Sequence, residues 1–165
     1  MSVDDELDEN GREALSLLAQ ALEPAAPAPS VRARLLEQLR GPERFSPFVA
    51  EVASAFDLSA DALREAFATL QSGRWLPGPW PHSRLLVAPA LGGDGTLIAQ
   101  LAAGTEIRRH GHAHRELTYV LDGALCEDAQ RTLGAGELLV AEPGQRHTVT
   151  IASDSDCLVV FGVRP

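Results

Sequence analysis

The chain has 165 residues, 45% of them apolar, which suffices for one globular domain with an appendage and a real core. A formal charge of −9 and a pI near 4.9 argue against nucleic acid, anionic membranes and phosphate-rich polymers as main partners. All 14 basic residues are arginine, so Schiff-base and lysine-nucleophile chemistry are excluded.

The acidic start MSVDDELDEN is the opposite of a signal or transit peptide and predicts a disordered tail over residues 1–9. No apolar run approaches a membrane span, so a soluble, cytoplasmic protein is expected. A helical extension is predicted over 10–73. Leucines recur at helical spacing in REALSLLAQAL, from Arg12 to Leu22. The proline-broken EPAAPAPS ends in Ser30, an N-cap for VRARLLEQLR, and Gly41-Pro42 stops that helix. Ser46-Pro47 starts FVAEVASAFD, and Ser59 caps ADALREAFATL, which ends at Gly73. Short amphipathic helices of this kind need another surface to bury their apolar faces, either the rest of the chain or a protein partner.

A strap rich in proline, glycine and tryptophan follows over 74–83, and beyond it the helical period disappears. Over 84–165 short β-type runs (RLLVA, TLIAQLAA, ELTYVLDG, ELLVAE, HTVTIA, CLVVFGV) alternate with turn signals such as LGGDGT, LGAGE and EPGQ. Many short strands with glycine turns and no intervening helices predict a mainly β sandwich or barrel.

Three of the five histidines sit in HGHAHRE. On an extended strand, residues two apart share a face, so His110 and His112 project together across Gly111. Glu116 follows closely, and His147 enters where the EPGQ turn feeds a new strand. Three neutral imidazoles and a carboxylate are borderline-to-hard ligands and suit one divalent ion: zinc first, with iron, manganese or nickel as alternatives. By alternation Glu116 shares its face with Thr118 and Val120, and His147 with Val149 and Ile151. The space below the ion should therefore be apolar, with Thr118 its hydroxyl.

Other groups read more plainly. His114 is expected to be exposed or to support a ligand from behind, and His82, beside Trp80 and Pro81, to be structural. Cys126 and Cys157 fit two reduced, partly buried thiols, with a redox-responsive pair the minor alternative. Arg108, Arg109, Arg115 and Arg146 are either solvated strand edges or a cationic rim for an anionic ligand. Glu106, Glu142 and Tyr119 are the acid–base candidates, and no catalytic residue can be assigned.

The spacing Gly104, His110-x-His112, Glu116, Gly123, then Gly136, Glu142-Pro143-Gly144, His147, resembles the paired signature of the cupin superfamily over roughly residues 84–163. The second motif departs twice, with Glu142 where the family has proline and Ile151 where it has asparagine. The resemblance implies a double-stranded β-helix (jelly-roll) barrel, a metal on His110, His112, Glu116 and His147, and a homodimer formed through sheets. Helices before a Trp-Pro strap and a cupin also resemble ChrR-type anti-sigma factors, whose cupin half responds to oxidants. That family's helical domain holds zinc with histidines and cysteines. Here no histidine precedes His82 and no cysteine precedes Cys126. The resemblance implies a sensory or regulatory protein, responding to an oxidant or small ligand and contacting a protein partner through its helices. The alternative is a small metal-dependent dioxygenase or isomerase. A helix-turn-helix DNA-binding role fits poorly, because Asp61, Arg64 and Glu65 would form the reading face.

Overall fold

The computed structural model describes residues 41–92 and 95–164, together with 11–13, 17, 30, 31 and 33. The chain divides into two compact units, Met1–Glu37 and Gln38–Pro165. Each described residue of the first unit is helical, Ser30 included, although a cap would flank the helix. The tail predicted over 1–9 and most of the helices predicted at 12–22 and 31–40 lie outside the described residues. Everything below concerns the second unit.

The first element among the described residues of that unit is a 3₁₀ helix, Pro42–Phe48, entered from extended Gly41. Pro42 sits in its first turn, where the missing N–H costs nothing. The helix continues into α1 (Val49–Phe56), which stops at Asp57 in the left-handed region, φ 51°. Aspartate tolerates that conformation better than most residues. The Ser59 hydroxyl then accepts from the Ala62 N–H at 3.1 Å and caps α2 (Ala60–Ala68), as its sequence position predicts. One stripe of each helix is buried: Val49, Val52 and Phe56 on α1, Leu63, Ala66 and Phe67 on α2. Among the described residues no helix is long and apolar enough to cross a membrane.

Ten strands follow: β1 (Trp75–Pro77), β2 (Ser83–Leu86), β3 (Thr96–Leu101), β4 (Glu106–Gly111), β5 (Arg115–Asp122), β6 (Ala124–Glu127), β7 (Arg131–Gly134), β8 (Leu138–Ala141), β9 (Arg146–Ile151) and β10 (Cys157–Arg164). They form two antiparallel sheets, ordered β1-β2-β3-β10-β5-β8 and β4-β9-β6-β7. This is a mainly β barrel, as the spaced turns predict, with the jelly-roll form that the family resemblance implied. Part of the predicted strap is itself a strand: β1 pairs with β2 and lengthens the larger sheet, in a position where a short, proline-containing strand is tolerated. The β6–β7 hairpin escapes the sequence pattern because ALCE and RTLG are too short and mixed to alternate. Gly123, at φ 80°, turns β5 into β6, and a Cβ there would lie 2.9 Å from the Asp156 carbonyl oxygen.

Strand alternation divides the core into two layers. Between the sheets lie Leu101, Val120, Leu125, Leu133, Leu139, Val149, Ile151 and Val159. On the outer face of the larger sheet Leu117, Tyr119, Leu121, Ile98 and Val160 meet Phe45, Val52, Phe56, Leu63 and Phe67 of the helices. The helices of this unit therefore bury their apolar stripes on the barrel itself. Three polar links tie the layers: Arg44 to Asp122 at 2.9 Å, the Tyr119 hydroxyl donating to Glu51 at 2.8 Å, and Arg164 donating to the Phe56 carbonyl.

Candidate metal centre

The four residues singled out by spacing come together. His110 on β4 lies directly across from His147 on β9 in the strand register. His112 is one residue past the end of β4, and Glu116 is the second residue of β5. The ring centroids of the three imidazoles are 4.7–4.9 Å apart. One ligand atom from each of the four residues falls within 4.8 Å of the others. His147 and His112 are 1% and 9% exposed, so the cluster opens to solvent chiefly past His110 and Glu116.

A bulge makes this possible. Between Ile107 and His110 the β4–β9 register shifts, so both side chains face the barrel interior although they are three residues apart. Gly144, at φ 84°, lets the EPGQ turn fold back, where its N–H donates to the His112 carbonyl at 2.8 Å while the His112 N–H reaches the Gln145 carbonyl. The two segments that carry His112 and His147 are thus laced together by their backbones.

The hydrogen bonds behind each ring fix its tautomer. His110 Nδ1 is 3.0 Å from the Arg108 carbonyl, which can only accept, so Nδ1 carries the proton and Nε2 the lone pair. His147 Nδ1 donates in the same way to Glu127 Oε1 at 2.7 Å, and His112 Nδ1 to Glu116 Oε2 at 3.1 Å. In the neutral rings Nε2 then carries the lone pair, and the Nε2 atoms of His112 and His147 are 3.0 Å apart. Two lone pairs at that separation repel unless a cation lies between them. It is also close to the edge of a coordination shell with bonds of about 2.1 Å. The donor set therefore fits a divalent ion, with neutral imidazoles and an anionic carboxylate as the ligands.

Glu127 is the member of the candidate site that the sequence reading missed. It is two residues beyond inward-facing Leu125 on β6, so a carboxylate occupies a position that alternation reserves for an apolar side chain; that was the available signal. A carboxylate behind a ligating histidine raises its basicity and holds its ring in place. Glu127→Ala is expected to weaken zinc binding by about 10–100-fold, read by competition with a chromogenic chelator, with the folded far-UV signal unchanged.

The other candidates separate from the cluster. His114 is exposed in the turn before β5, and His82 is exposed at φ 54° in the turn before β2, where its carbonyl accepts from Ala102. Arg108, Arg109, Arg115 and Arg146 are all exposed; Arg109 and Arg115 pair with Asp128 and Glu142 at 4.0 and 3.2 Å. Tyr119 faces the helices on the opposite side of β5, where burial first, and then its hydrogen bond to Glu51, raise its phenol above the ordinary range. Glu106 and Glu142 are exposed. None of these three acid–base candidates lines the cavity below the cluster, whereas Thr118, Val149 and Ile151 do, as alternation predicts. Both cysteines are free; burial and then Asp122 push the Cys157 thiol up to about 12, which leaves it protonated and inert.

A two-sheet antiparallel barrel with three inward histidines and a glutamate at one end defines a cupin. The family model for the ChrR cupin-like domain matches residues 64–165, and the chain belongs to that family. Among solved structures it resembles the Rhodobacter sphaeroides SigE in complex with the anti-sigma ChrR, with a TM-score of 0.52 and 21% identity over 92% of this chain and 76% of that one. That likeness is one of fold. An RmlC-like cupin from Ralstonia eutropha matches at 21% identity over 57% of this chain and 64% of that one, with a TM-score of 0.45. The polyketide cyclase RemF from Streptomyces resistomycificus matches at 18% identity over 56% and 75%, with a TM-score of 0.44. No curated protein matches the chain.

Proposed function

We propose that this protein is a cytoplasmic sensory or regulatory cupin that holds one divalent ion, zinc in the first instance, on His110, His112, Glu116 and His147. An oxidant or small ligand alters the coordination, and the helical segment presents a changed surface to a protein partner. The resemblance to a structure in which an anti-sigma protein is bound to its sigma factor supports a protein as that partner. A homodimer through the sheets is the expected assembly.

The observation that carries this reading is the two-sidedness of β5. Glu116 and Thr118 face the metal cluster, while Leu117, Tyr119 and Leu121 between and beyond them face α1. The Tyr119 hydroxyl is bonded to Glu51 on α1, and its ring stands edge-on to Phe48 at 6.0 Å. A displacement of Glu116 along β5 reaches the helix through three residues of one strand, without a mobile linker between them.

Amide hydrogen exchange on the full chain, with zinc loaded and after chelation, tests the coupling. Zinc is expected to slow exchange over 49–56 by about tenfold, and Tyr119→Phe to remove most of that difference. Equal exchange over 49–56 in both states would sink the sensory reading even if zinc binds.

A further inference from the structure

A second cavity, of about 150 Å³, lies away from the histidine–glutamate cluster, on the helix side of the larger sheet. Phe45 and Leu70 of the helical layer wall it on one side and Leu158 of β10 on the other, at the end where β5 runs out at Asp122. Asp122 is six residues beyond Glu116, about 20 Å along an extended strand. A cavity of about 150 Å³ with apolar walls holds one benzene ring.

Its polar groups are fixed by bonds that cross three segments. Arg84 on β2 donates to Gln100 Oε1 from Nε and Nη2 at 2.9 and 2.6 Å. That grip turns the Gln100 amide nitrogen toward Asp156, where it donates to Oδ2 at 2.7 Å. Among the described residues no donor reaches Asp156 Oδ1. The neighbouring Asp122 is engaged on both oxygens, by the Gly123 N–H at 3.0 Å and by Arg44 at 2.9 Å. The Trp75 ring lines the cavity with its N–H already donated to the Leu70 carbonyl at 3.3 Å, and the Arg84 guanidinium lies over the ring at 4.9 Å. What the cavity offers a ligand is therefore an aromatic and aliphatic wall with one spare carboxylate oxygen at its rim. Of the three charged side chains that line it, Arg44, Asp122 and Asp156, two are anionic, so a cation gains there and an anion does not.

We propose that this cavity is a second ligand site, for a primary amine carried on a single aromatic ring. The ring packs against Trp75 and Leu158, and Asp156 binds the ammonium. Because the helical layer and the sheet each supply a wall, the ligand pins the 3₁₀ helix to the barrel. The site uses no metal and stands apart from the reading of the cluster.

The test titrates the full chain with benzylamine by isothermal calorimetry. One saturable site per chain is expected, with a Kd of about 1 mM or tighter. Benzyl alcohol and benzoate keep the ring without the cation, butylamine keeps the cation without the ring, and each is expected to bind at least about tenfold more weakly. Asp156→Asn is expected to lower benzylamine affinity about tenfold, and Leu70→Phe, which fills the cavity, by at least as much. Asp156 is exposed and its amide replacement can still accept from Gln100, so that variant decides the matter should Leu70→Phe not fold. Saturating benzylamine is expected to slow amide exchange over 43–48 by about threefold in the parent and not in Asp156→Asn. Benzoate or butylamine binding as well as benzylamine, or undiminished affinity in Asp156→Asn, overturns the site; unchanged exchange over 43–48 overturns the pinning of the helix.

Discussion

Protein purified without chelators will carry about one equivalent of divalent metal per chain, and the His110→Ala, His147→Ala double variant will carry less than about a tenth of that. The magnitude follows from what the two side chains do. Structural zinc sites bind with roughly 10–16 kcal/mol, so losing two of four ligands costs several kcal/mol, a thousandfold or more in affinity. His110 and His147 lie opposite each other on paired strands, so the double variant empties one side of the cluster. Elemental analysis provides the measurement. Equal metal in parent and double variant would refute the assignment of all four ligands. His147 is itself 1% exposed, so the comparison is made on variant protein whose far-UV signal matches the folded parent.

Phe56→Ala is expected to cost about 3–5 kcal/mol of stability, a large share of the roughly 5–15 kcal/mol of an ordinary domain. Phe56 is fully buried at the end of α1, beneath the barrel's last strand. Gly162 of β10 exists to admit it: a Cβ there would stand 3.1 Å from the ring. Arg164 covers the ring at 5.7 Å and bonds the Phe56 carbonyl. Removing the ring therefore leaves a cavity whose walls belong to both helix and sheet, and neither can collapse into it alone. Urea denaturation followed by helical signal and by tryptophan fluorescence should shift together. A loss confined to the helical signal would mean that α1 and α2 are an appendage and not part of the barrel's core.

Much of the candidate site was legible in the chain because a set of donors that could hold one ion imposes spacing. Two histidines one residue apart, and a glutamate at the head of the next strand, must lie close in an extended chain, whatever the fold around them. His147 is 31 residues beyond Glu116 and became legible only through the second half of a family signature. Glu127 obeys no such spacing. It supports His147 because β6 happens to neighbour β9, and pairing between non-adjacent strands is not encoded in any local pattern. The arginines tell the opposite story: they cluster around the ligands in sequence, yet alternation and the β4 bulge leave them on the outside.

By itself the sequence determined which residue types could hold an ion, where helices yield to strands, and that β5 has one polar-to-apolar face toward the ligands. Those are properties of periods two and 3.6, fixed within a few residues. Only the tertiary structure decided that the helices lie on the back of the larger sheet, that Tyr119 turns away from the histidine–glutamate cluster, and that Trp80 lines the cavity beneath it. Each of these depends on which distant surfaces meet, and burial of apolar area rewards any well-fitting partner without naming it in the chain.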